Sequence, residues 1–250
     1  NKNRINKRMS YDLTKFKHGL EELNITLTDE QIEQFLQYYE MLVEKNKVMN
    51  LTGITEYEEV IQKHFLDSLS LIRVIPDIAS QKLTVIDLGT GAGFPGIPLK
   101  IAFPELDITL MDSLNKRILF LQEVIDALGL KKVSAVHGRA EEMASNATHR
   151  QQYDLCVSRA VSNLAVLTEY CLPFVKKGGL FVSYKSADSD AEIQEGKKAI
   201  SILGGKLTSV DKFQLPDSDL RRALVCIKKV KDTPKKYPRK AGTPAKLPLK

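Results

Sequence analysis

The chain has 250 residues, a hydrophobic share of 43% and a formal net charge of +6, which allows one sizeable core or a core with a small appendage. It contains no apolar run long enough to cross a bilayer and no signal-peptide pattern, so we expect a soluble, cytoplasmic protein without a membrane partner. Its three cysteines lie far apart and its four histidines are scattered, which argues against both a disulfide framework and a metal site.

Positive charge is concentrated at the two ends of the chain. Residues 231–250 hold seven lysines and arginines against a single aspartate, and residues 1–8 hold four more cations. Basic ends on a near-neutral body add sequence-independent attraction to nucleic-acid phosphates, although a solvated tail that binds nothing has the same composition. We expect residues 1–8 to be a disordered basic segment and residues 231–250 to be a basic, proline-rich tail.

Residues 9–78 are predicted to form an N-terminal helical extension. Apolar residues recur there at helical spacing, and two capping boxes predict helix starts at Thr28 and Thr55. On the third predicted helix, His64 and Asp67 are three residues apart and share one face. Two interpretations stay open for this pair: side chains at the edge of a ligand cleft, or a helix-surface hydrogen bond that fixes the extension.

Strands and helices alternate over residues 79–230, which predicts an α/β domain with a doubly wound, mostly parallel sheet. The last two strands, predicted at 206–214 and 222–230, form a closing antiparallel pair. Seven strands with this ending are typical of the class I, Rossmann-like fold of methyltransferases that use S-adenosylmethionine (SAM). A dinucleotide-binding domain more often ends in a sixth parallel strand.

The segment LTVIDLGTGAGFPG at 83–96 places a glycine-rich loop after the first strand, where open α/β sheets bind ligands. Two patterns overlap in this loop. Residues 91–96 fit the dinucleotide fingerprint G-x-G-x-x-G, whereas residues 87–93 fit D-x-G-x-G-x-G, the pattern of a SAM loop. The glycines alone therefore leave both an NAD site and a SAM site open.

Features beside these glycines favour SAM over NAD. Pro95 and Pro98 occupy the start of the next helix, where a pyrophosphate would need backbone N–H donors. The carboxylate of Asp87 would repel a pyrophosphate but suits the cationic end of SAM. Asp112, at the end of the second strand, is placed to accept hydrogen bonds from ribose hydroxyls in either cofactor. An NAD-dependent reductase remains the alternative enzyme.

The loops after strands three and four are predicted to complete the site. Ala140 and Glu141 follow strand three, where backbone and an acid can meet an adenine edge, although an ordinary acidic helix start has the same sequence. Strand four is followed by Ser158-Arg159-Ala160-Val161, which lacks a cysteine nucleophile and lacks the proline-containing clamp of amine methyltransferases. A methyl acceptor that is already nucleophilic, such as guanine N7, needs neither. Arg159 would then orient the cofactor or the guanine.

Several cations are candidates for RNA binding. Lys185, at the end of strand five, is predicted to face the same cleft as the strand-four loop, and Arg221 and Arg222 precede the last strand. A solvated strand end is the alternative for each. In the tail, four prolines disfavour helix and favour an extended chain, which would let Tyr237 stack on a base and Arg239 meet the RNA backbone.

Seven segments together, and in this order, resemble the bacterial 16S ribosomal RNA guanine-N7 methyltransferase family, once called glucose-inhibited division protein B. These segments are NKVMNLTGI at 46–54, KHFLDS at 63–68, DLGTGAGFPGIP at 87–98, DSLNKRILFL at 112–121, GRAEE at 138–142, SRAV at 158–161 and PKKYPRKAGTPAKLPL at 234–249. The resemblance covers nearly the whole chain, and its motifs are specific together though weak singly.

This resemblance implies a SAM-dependent enzyme that methylates N7 of one guanine near the decoding site, directly and without a covalent intermediate. Its partner would be 16S rRNA or the small ribosomal subunit, and we favour a monomer. The residues expected to bind SAM are Gly89, Gly91, Phe94, Asp112, Ala140, Glu141 and Arg159. Arg159 is expected to position the reactants, with no general base. A non-catalytic RNA-binding protein that retains a nucleotide pocket is a third alternative.

Overall fold

The computed structural model describes residues 10–250, so the basic segment predicted for residues 1–8 lies outside the described residues. The first two helices of the described part are α1 (Thr14–Glu22) and α2 (Asp29–Asn46). They belong to the helical extension, whose predicted boundary with the sheet domain stays a prediction.

The capping box predicted at Thr28 is confirmed. The Thr28 side chain accepts a hydrogen bond from the Gln31 backbone N–H, and the Gln31 side chain accepts one from the Thr28 N–H. Two otherwise unpaired donors of the first helical turn are thereby satisfied. The Gln31 amide also donates to the carbonyl oxygen of Ile101 at 2.9 Å, which joins this helix start to the sheet domain.

The second predicted capping box, at Thr55, is wrong. Glu56 is the capping residue, and its carboxylate accepts from the backbone N–H groups of Glu58 and Glu59. A carboxylate is favourable there because it also meets the positive end of the helix dipole. The helical stretch that follows consists of α3 (Tyr57–Val60), a π-helical turn (Ile61–Leu66), α4 (Asp67–Leu69) and a 3₁₀ turn (Ser70–Arg73), and a further 3₁₀ turn covers Ile78–Ser80.

Seven strands form one sheet, as the alternation of elements predicts. They are β1 (Thr84–Leu88), β2 (Asp107–Asp112), β3 (Val133–His137), β4 (Tyr153–Ser158), β5 (Val175–Ser186), β6 (Gly205–Gln214) and β7 (Arg221–Lys229). Their order is β3-β2-β1-β4-β5-β7-β6, with the first five strands parallel and β7 antiparallel to both β5 and β6. The chain reverses its winding between β1 and β4, and that edge of an open sheet is where ligands bind.

Helices cover both faces of this sheet. They are α5 (Gly96–Ala102), α6 (Asn115–Leu128), α7 (Ala140–Met143), α8 (Leu164–Cys171) and α9 (Asp190–Ile202). Because side chains alternate along a strand, Val85 contributes to the core on one face, and its neighbour Ile86 contributes to the core on the other. The first core also contains Phe16, Phe35 and Phe65 of the extension, so the extension and this face of the sheet share one hydrophobic core.

The C-terminal tail packs against the protein, in contrast to the predicted extended chain. The guanidinium of Arg150 donates to the carbonyl oxygens of Thr233, Pro234 and Tyr237 at 3.1, 3.3 and 2.8 Å. The tail also contains the short helix α10 (Thr243–Lys246). Pro244 lies in the first turn of this helix, where a backbone N–H has no acceptor within the helix, so a proline there removes no helical hydrogen bond.

Within residues 10–250, no helix is both long and apolar enough to span a bilayer. The same part of the chain contains no group of three or more His, Cys, Asp or Glu side chains arranged to hold a metal ion. All three cysteines are buried, and none of them forms a disulfide.

Candidate active site

The glycine loop after β1 has the backbone conformation that its sequence predicts. Gly89, Gly91 and Gly93 have φ angles of +69°, +59° and +108°, a region that side chains disfavour. At Gly93 the surroundings impose glycine as well, because a Cβ there would lie 2.6 Å from the Tyr38 hydroxyl oxygen. Tyr38 itself donates to the carbonyl oxygen of Ala92, so α2 of the extension holds this loop directly.

Asp87 has a different role from the one predicted. Its carboxylate is 0% exposed, and its Oδ2 accepts from the Thr90 hydroxyl at 2.6 Å and from the Gly96 N–H at 2.8 Å. Burial raises the pKa of this carboxyl to about 7, against the lowering effect of those hydrogen bonds. Asp87 therefore ties the two ends of the glycine loop together, and the prediction that its charge meets the cationic end of a ligand is wrong.

A cleft of about 450 Å³ opens beside the loop, and we call it the cofactor cleft. Four of the predicted residues line it: Gly89, Asp112, Ala140 and Glu141. Asp112 is held rigidly, because its Oδ2 accepts from the Gly91 N–H at 2.9 Å. Gly91 is not part of the lining and contributes through this hydrogen bond.

The lining of the cofactor cleft fits SAM. Leu88, Met111 and Leu167 provide apolar walls for a flat base, and the Asp112 and Glu141 carboxylates provide acceptors for hydroxyl and amino groups. The cleft volume falls in the range of small-molecule sites, roughly 300 to 1,000 Å³. Sequence reasoning missed two arginines of the lining, Arg117 and Arg139. Arg117 Nη1 lies 3.5 Å from Asp112 Oδ2. The available signal was the position of Arg117 in the first turn of the helix that follows β2.

A second cavity of about 500 Å³ adjoins the cofactor cleft. The two share Ala160 and Val161, the residues that follow β4, as a common wall. Tyr184 and two serines contribute to the lining of the second cavity. Its charged side chains are of both signs: Asp67, Arg159, Lys185, Asp188, Glu192 and Arg222. Lys185 and the strand-four loop thus face one cavity, as predicted.

Arg159 lies in this second cavity, not in the cofactor cleft. Its Nη1 is 3.0 Å from Asp67 Oδ2, and its Nη2 is 3.1 Å from His64 Nδ1. The guanidinium also lies 5.5 Å from the centre of the Phe94 ring. Phe94 stacks on His64 with 4.3 Å between ring centres and does not line the cleft, a placement that differs from its predicted contact with the cofactor. We call these four side chains the Arg159 cluster.

The contacts of His64 determine its protonation. Arginine has only donors, so His64 Nδ1 must accept from Arg159, and Nε2 therefore carries the proton and donates to Thr52 Oγ1 at 2.9 Å. Burial, reinforced by the positive charge of Arg159, lowers the His64 pKa to about 3. Both His64 and Asp67 are buried, so the surface interpretation of this pair is wrong. They lie on and beside a π-helical turn, a distortion that is frequent at functional sites.

Asp67 is held between two arginines. Arg222 Nε lies 3.4 Å from Asp67 Oδ1, on the carboxylate oxygen that Arg159 leaves free. Burial raises the Asp67 pKa, and the two guanidinium groups oppose that rise. Arg221, also predicted to bind RNA, is exposed beside this cavity without lining it.

Arg239 of the tail is paired within the protein, in contrast to its predicted role as a cation free to bind RNA. Its Nη2 lies 2.7 Å from Glu169 Oε1, and its backbone N–H donates to Glu169 Oε2 at 2.8 Å. Glu169 is 1% exposed, and Tyr237 is also buried. The tail reaches the cofactor cleft too, because the Gly242 N–H donates to Glu141 Oε2 at 3.1 Å. Arg239 is thus an ion-pair partner within the protein, and Tyr237 is buried rather than presented for stacking on a base.

The lowered pKa of His64 predicts a specific pH dependence of stability. An unfolded histidine binds a proton below about pH 6.5, whereas folded His64 binds it only near pH 3. Stability is therefore complete above pH 6.5 and is lost as the pH falls through that window. Between pH 6.5 and pH 5 the free energy of unfolding should fall by about 2 kcal/mol through this residue alone. The raised pKa of Asp87 changes stability in the opposite direction over this range, so the His64 contribution is measured as the difference in urea unfolding between the unsubstituted protein and His64→Asn at both pH values.

The control for this prediction is the exposed His137. From pH 6.5 to pH 5, the change in the free energy of unfolding should be about 2 kcal/mol less unfavourable for His64→Asn than for the unsubstituted protein, whereas His137→Asn should follow the unsubstituted protein. Equal pH dependence of His64→Asn and the unsubstituted protein would contradict the assignment.

Comparison with known proteins assigns this chain to a family. The family model described as rRNA small subunit methyltransferase G matches residues 31–225. The chain belongs to this methyltransferase family. The ribosomal RNA small subunit methyltransferase G of Lachnoclostridium phytofermentans is 57% identical over 238 residues, covering 95% of this chain and 98% of that relative. The protein of the same name from Bacillus licheniformis is 50% identical over 238 residues, covering 95% and 99%.

Solved structures agree with the family in fold. The E81Q mutant of MtNAS has a TM-score of 0.53 at 14% identity and covers 90% of this chain and 84% of its own. M. jannaschii TYW2, solved in complex with AdoMet, has a TM-score of 0.51 at 13% identity and covers 66% and 77%. Family membership decides the choice that the glycine loop left open: the chain is a SAM-dependent methyltransferase, and the NAD-dependent alternative is wrong.

Proposed function

We propose that this protein transfers a methyl group from SAM to N7 of one guanine in 16S rRNA, near the decoding site of the small ribosomal subunit. The observation that carries the proposal is the common wall of the two cavities. Ala160 and Val161 separate a cleft whose lining fits SAM from a cavity lined by three cations and three carboxylates. A nucleobase in the second cavity can therefore meet a methyl group presented from the first. The two relatives compared above are named as methyltransferases of small-subunit ribosomal RNA.

Direct transfer follows from the side chains near the common wall. Cys156 in β4 is fully buried, and burial raises the pKa of its thiol well above its usual range, so it does not supply a thiolate. His64 has its acceptor nitrogen occupied by Arg159 and is not free to remove a proton. Guanine N7 carries a lone pair and no proton, so its methylation needs neither a nucleophile nor a base.

Direct transfer without a nucleophile or a base depends on how the protein positions SAM and the guanine. Bound SAM supplies an electrophilic methyl group, and the protein has to hold the acceptor in line with it. Near-attack geometry of this kind contributes up to roughly 7 to 11 kcal/mol to the lowering of a barrier. The Arg159 cluster fixes the backbone after β4 to the helical extension, and it thereby sets the common wall against which both reactants lie.

The proposed function is tested by incubating the protein and radiolabelled SAM with unmodified small subunits and with naked rRNA. Borohydride and aniline treatment then cleaves RNA at N7-methylguanine. We expect label in the RNA and cleavage at one guanine. Label without cleavage would reject the N7 position and keep the reaction class, whereas no label on either substrate would reject the proposed function. We further propose that the protein acts as a monomer in the cytoplasm.

Asp112 is expected to dominate cofactor affinity among the cleft carboxylates. Asp112→Asn should weaken binding of S-adenosylhomocysteine by about 10- to 100-fold, because a hydrogen bond to a charged acceptor contributes roughly 1.5 to 3 kcal/mol. Isothermal titration calorimetry measures this. Asp107→Asn, at the exposed start of the same strand, is the matched control and should bind as the unsubstituted protein does. An unchanged affinity in Asp112→Asn would remove Asp112 from the site.

A further inference from the structure

The second cavity contains one carboxylate that the protein itself does not use. Asp67 is paired with Arg159 and Arg222, and Glu192 lies 3.2 Å from Lys185 Nζ. Asp188 lines the same cavity, and among residues 10–250 its side chain has no hydrogen bond or ion pair. It is an exposed residue two positions after the end of β5, the strand that carries Lys185, so it lies at the sheet edge where the common wall also lies.

The chemistry of guanine gives this carboxylate a partner. Guanine N7 lies on the imidazole edge, and the N1–H and N2–H₂ donors lie at the opposite end of the purine. A guanine with N7 at the common wall therefore directs these two donors into the second cavity. A carboxylate accepts only, and its two oxygens match two adjacent donors. Adenine has an acceptor at N1, which a carboxylate repels.

The cations of the cavity supply the complementary donors. The side chains of Arg159 and Arg222 are 20% and 26% exposed, and both line the cavity. Arg159 also donates to His64 and to the Lys63 carbonyl oxygen, and the guanidinium N–H groups outside these contacts are the donors available to a base. Guanine O6 lies between N7 and N1 and accepts from such donors. Donors for O6 and a carboxylate for N1–H and N2–H₂ together distinguish guanine from the other three bases.

We propose that Asp188 is a specificity-determining residue that accepts hydrogen bonds from N1–H and N2–H₂ of the guanine to be methylated. This inference rests on the proposed function and names the base-reading group of the same site. Asp188 holds the acceptor base in register for transfer, and it takes no part in the bond changes at N7.

The test removes the 2-amino group from the RNA base and, separately, the Asp188 carboxylate from the protein. Small subunits are reconstituted with either guanine or inosine at the modified position, since inosine keeps N7, O6 and N1–H and lacks only the 2-amino group. The unsubstituted protein should prefer guanine by about 10-fold in kcat/KM, because a site built around a donor rejects an analogue without it. In Asp188→Ala, kcat/KM for guanine should fall by about 10-fold or more and the preference should shrink to less than about twofold.

Asp190→Ala is the matched control, because Asp190 lies two residues further on and pairs on the surface with Lys212 at 2.9 Å. It should keep both the rate and the preference, and S-adenosylhomocysteine should bind both variants equally well. An undiminished guanine preference in Asp188→Ala would overturn the inference, as would equal rates of the unsubstituted protein on guanine and inosine. Absence of transfer to the guanine subunits would instead reject the proposed function, and this inference with it.

Discussion

Replacing Arg159 with methionine is expected to lower kcat for methyl transfer by about 100-fold while the affinity for S-adenosylhomocysteine changes by less than about threefold. The position of Arg159 explains why kcat should fall while the affinity for S-adenosylhomocysteine should stay nearly unchanged. It lines the second cavity and does not line the cofactor cleft, so the cofactor loses no direct partner. The acceptor side loses the guanidinium that binds Asp67, His64 and the Lys63 carbonyl oxygen.

The physical reason is displacement of the common wall. Arg159 is the residue immediately before Ala160 and Val161, and its side chain anchors that backbone to the helical extension. A misplacement of about 1 Å between reacting groups costs roughly 100-fold in rate. Single-turnover methyl transfer and calorimetric titration measure the two quantities separately.

Arg73→Met is the matched control for this substitution. Arg73 also joins the extension to the sheet domain, through an ion pair with Asp211 at 2.7 Å, but it lines neither cavity. It should keep kcat within about twofold, since a partly exposed ion pair contributes little. An Arg159→Met protein with undiminished kcat would show that the cluster does not position the acceptor.

Replacing Arg239 with methionine is expected to lower the free energy of unfolding by about 3 kcal/mol. The substitution leaves Glu169, which is 1% exposed, without its charged partner. An uncompensated buried carboxylate costs far more than the loss of an exposed ion pair. Equilibrium urea unfolding at pH 7 measures the change.

A second variant separates the buried charge from the loss of packing. Arg239→Met combined with Glu169→Gln removes both charges and should recover a large part of the lost stability. Lys240→Met, the neighbouring exposed cation, should change the free energy of unfolding by less than about 0.5 kcal/mol. A loss below about 1 kcal/mol in Arg239→Met would contradict the structural role of this ion pair.

The tail illustrates why composition alone gave the wrong expectation. Clustered lysines and prolines are typical of an extended, solvated chain, and nothing in residues 231–250 indicates the partners of Arg239 and Tyr237. Those partners lie elsewhere in the chain: Glu169 is 70 residues before Arg239, and Arg150 is 87 residues before Tyr237. Only folding of the sheet domain creates the surface that the tail covers.

The sequence by itself determined the elements that depend on local pattern. The apolar periodicities predict the strands and helices, the antiparallel ending predicts the place of the last two strands, and the glycine loop predicts positive φ angles after β1. These signals are local because strand and helix repeats extend over two to four residues. The cleft residues Gly89, Asp112, Ala140 and Glu141 follow from them, since parallel strands end at one edge of the sheet.

Only the tertiary structure decided which charges are buried and what they bind. Asp87 and Arg159 each stand at a strand end in the sequence, where both read as ligand contacts. The folded glycine loop buries Asp87, which binds Thr90 and Gly96, and the helical extension gives Arg159 two partners more than 90 residues away, His64 and Asp67. A side chain's pKa and role depend on desolvation and on such distant partners, and neither is encoded in its local sequence.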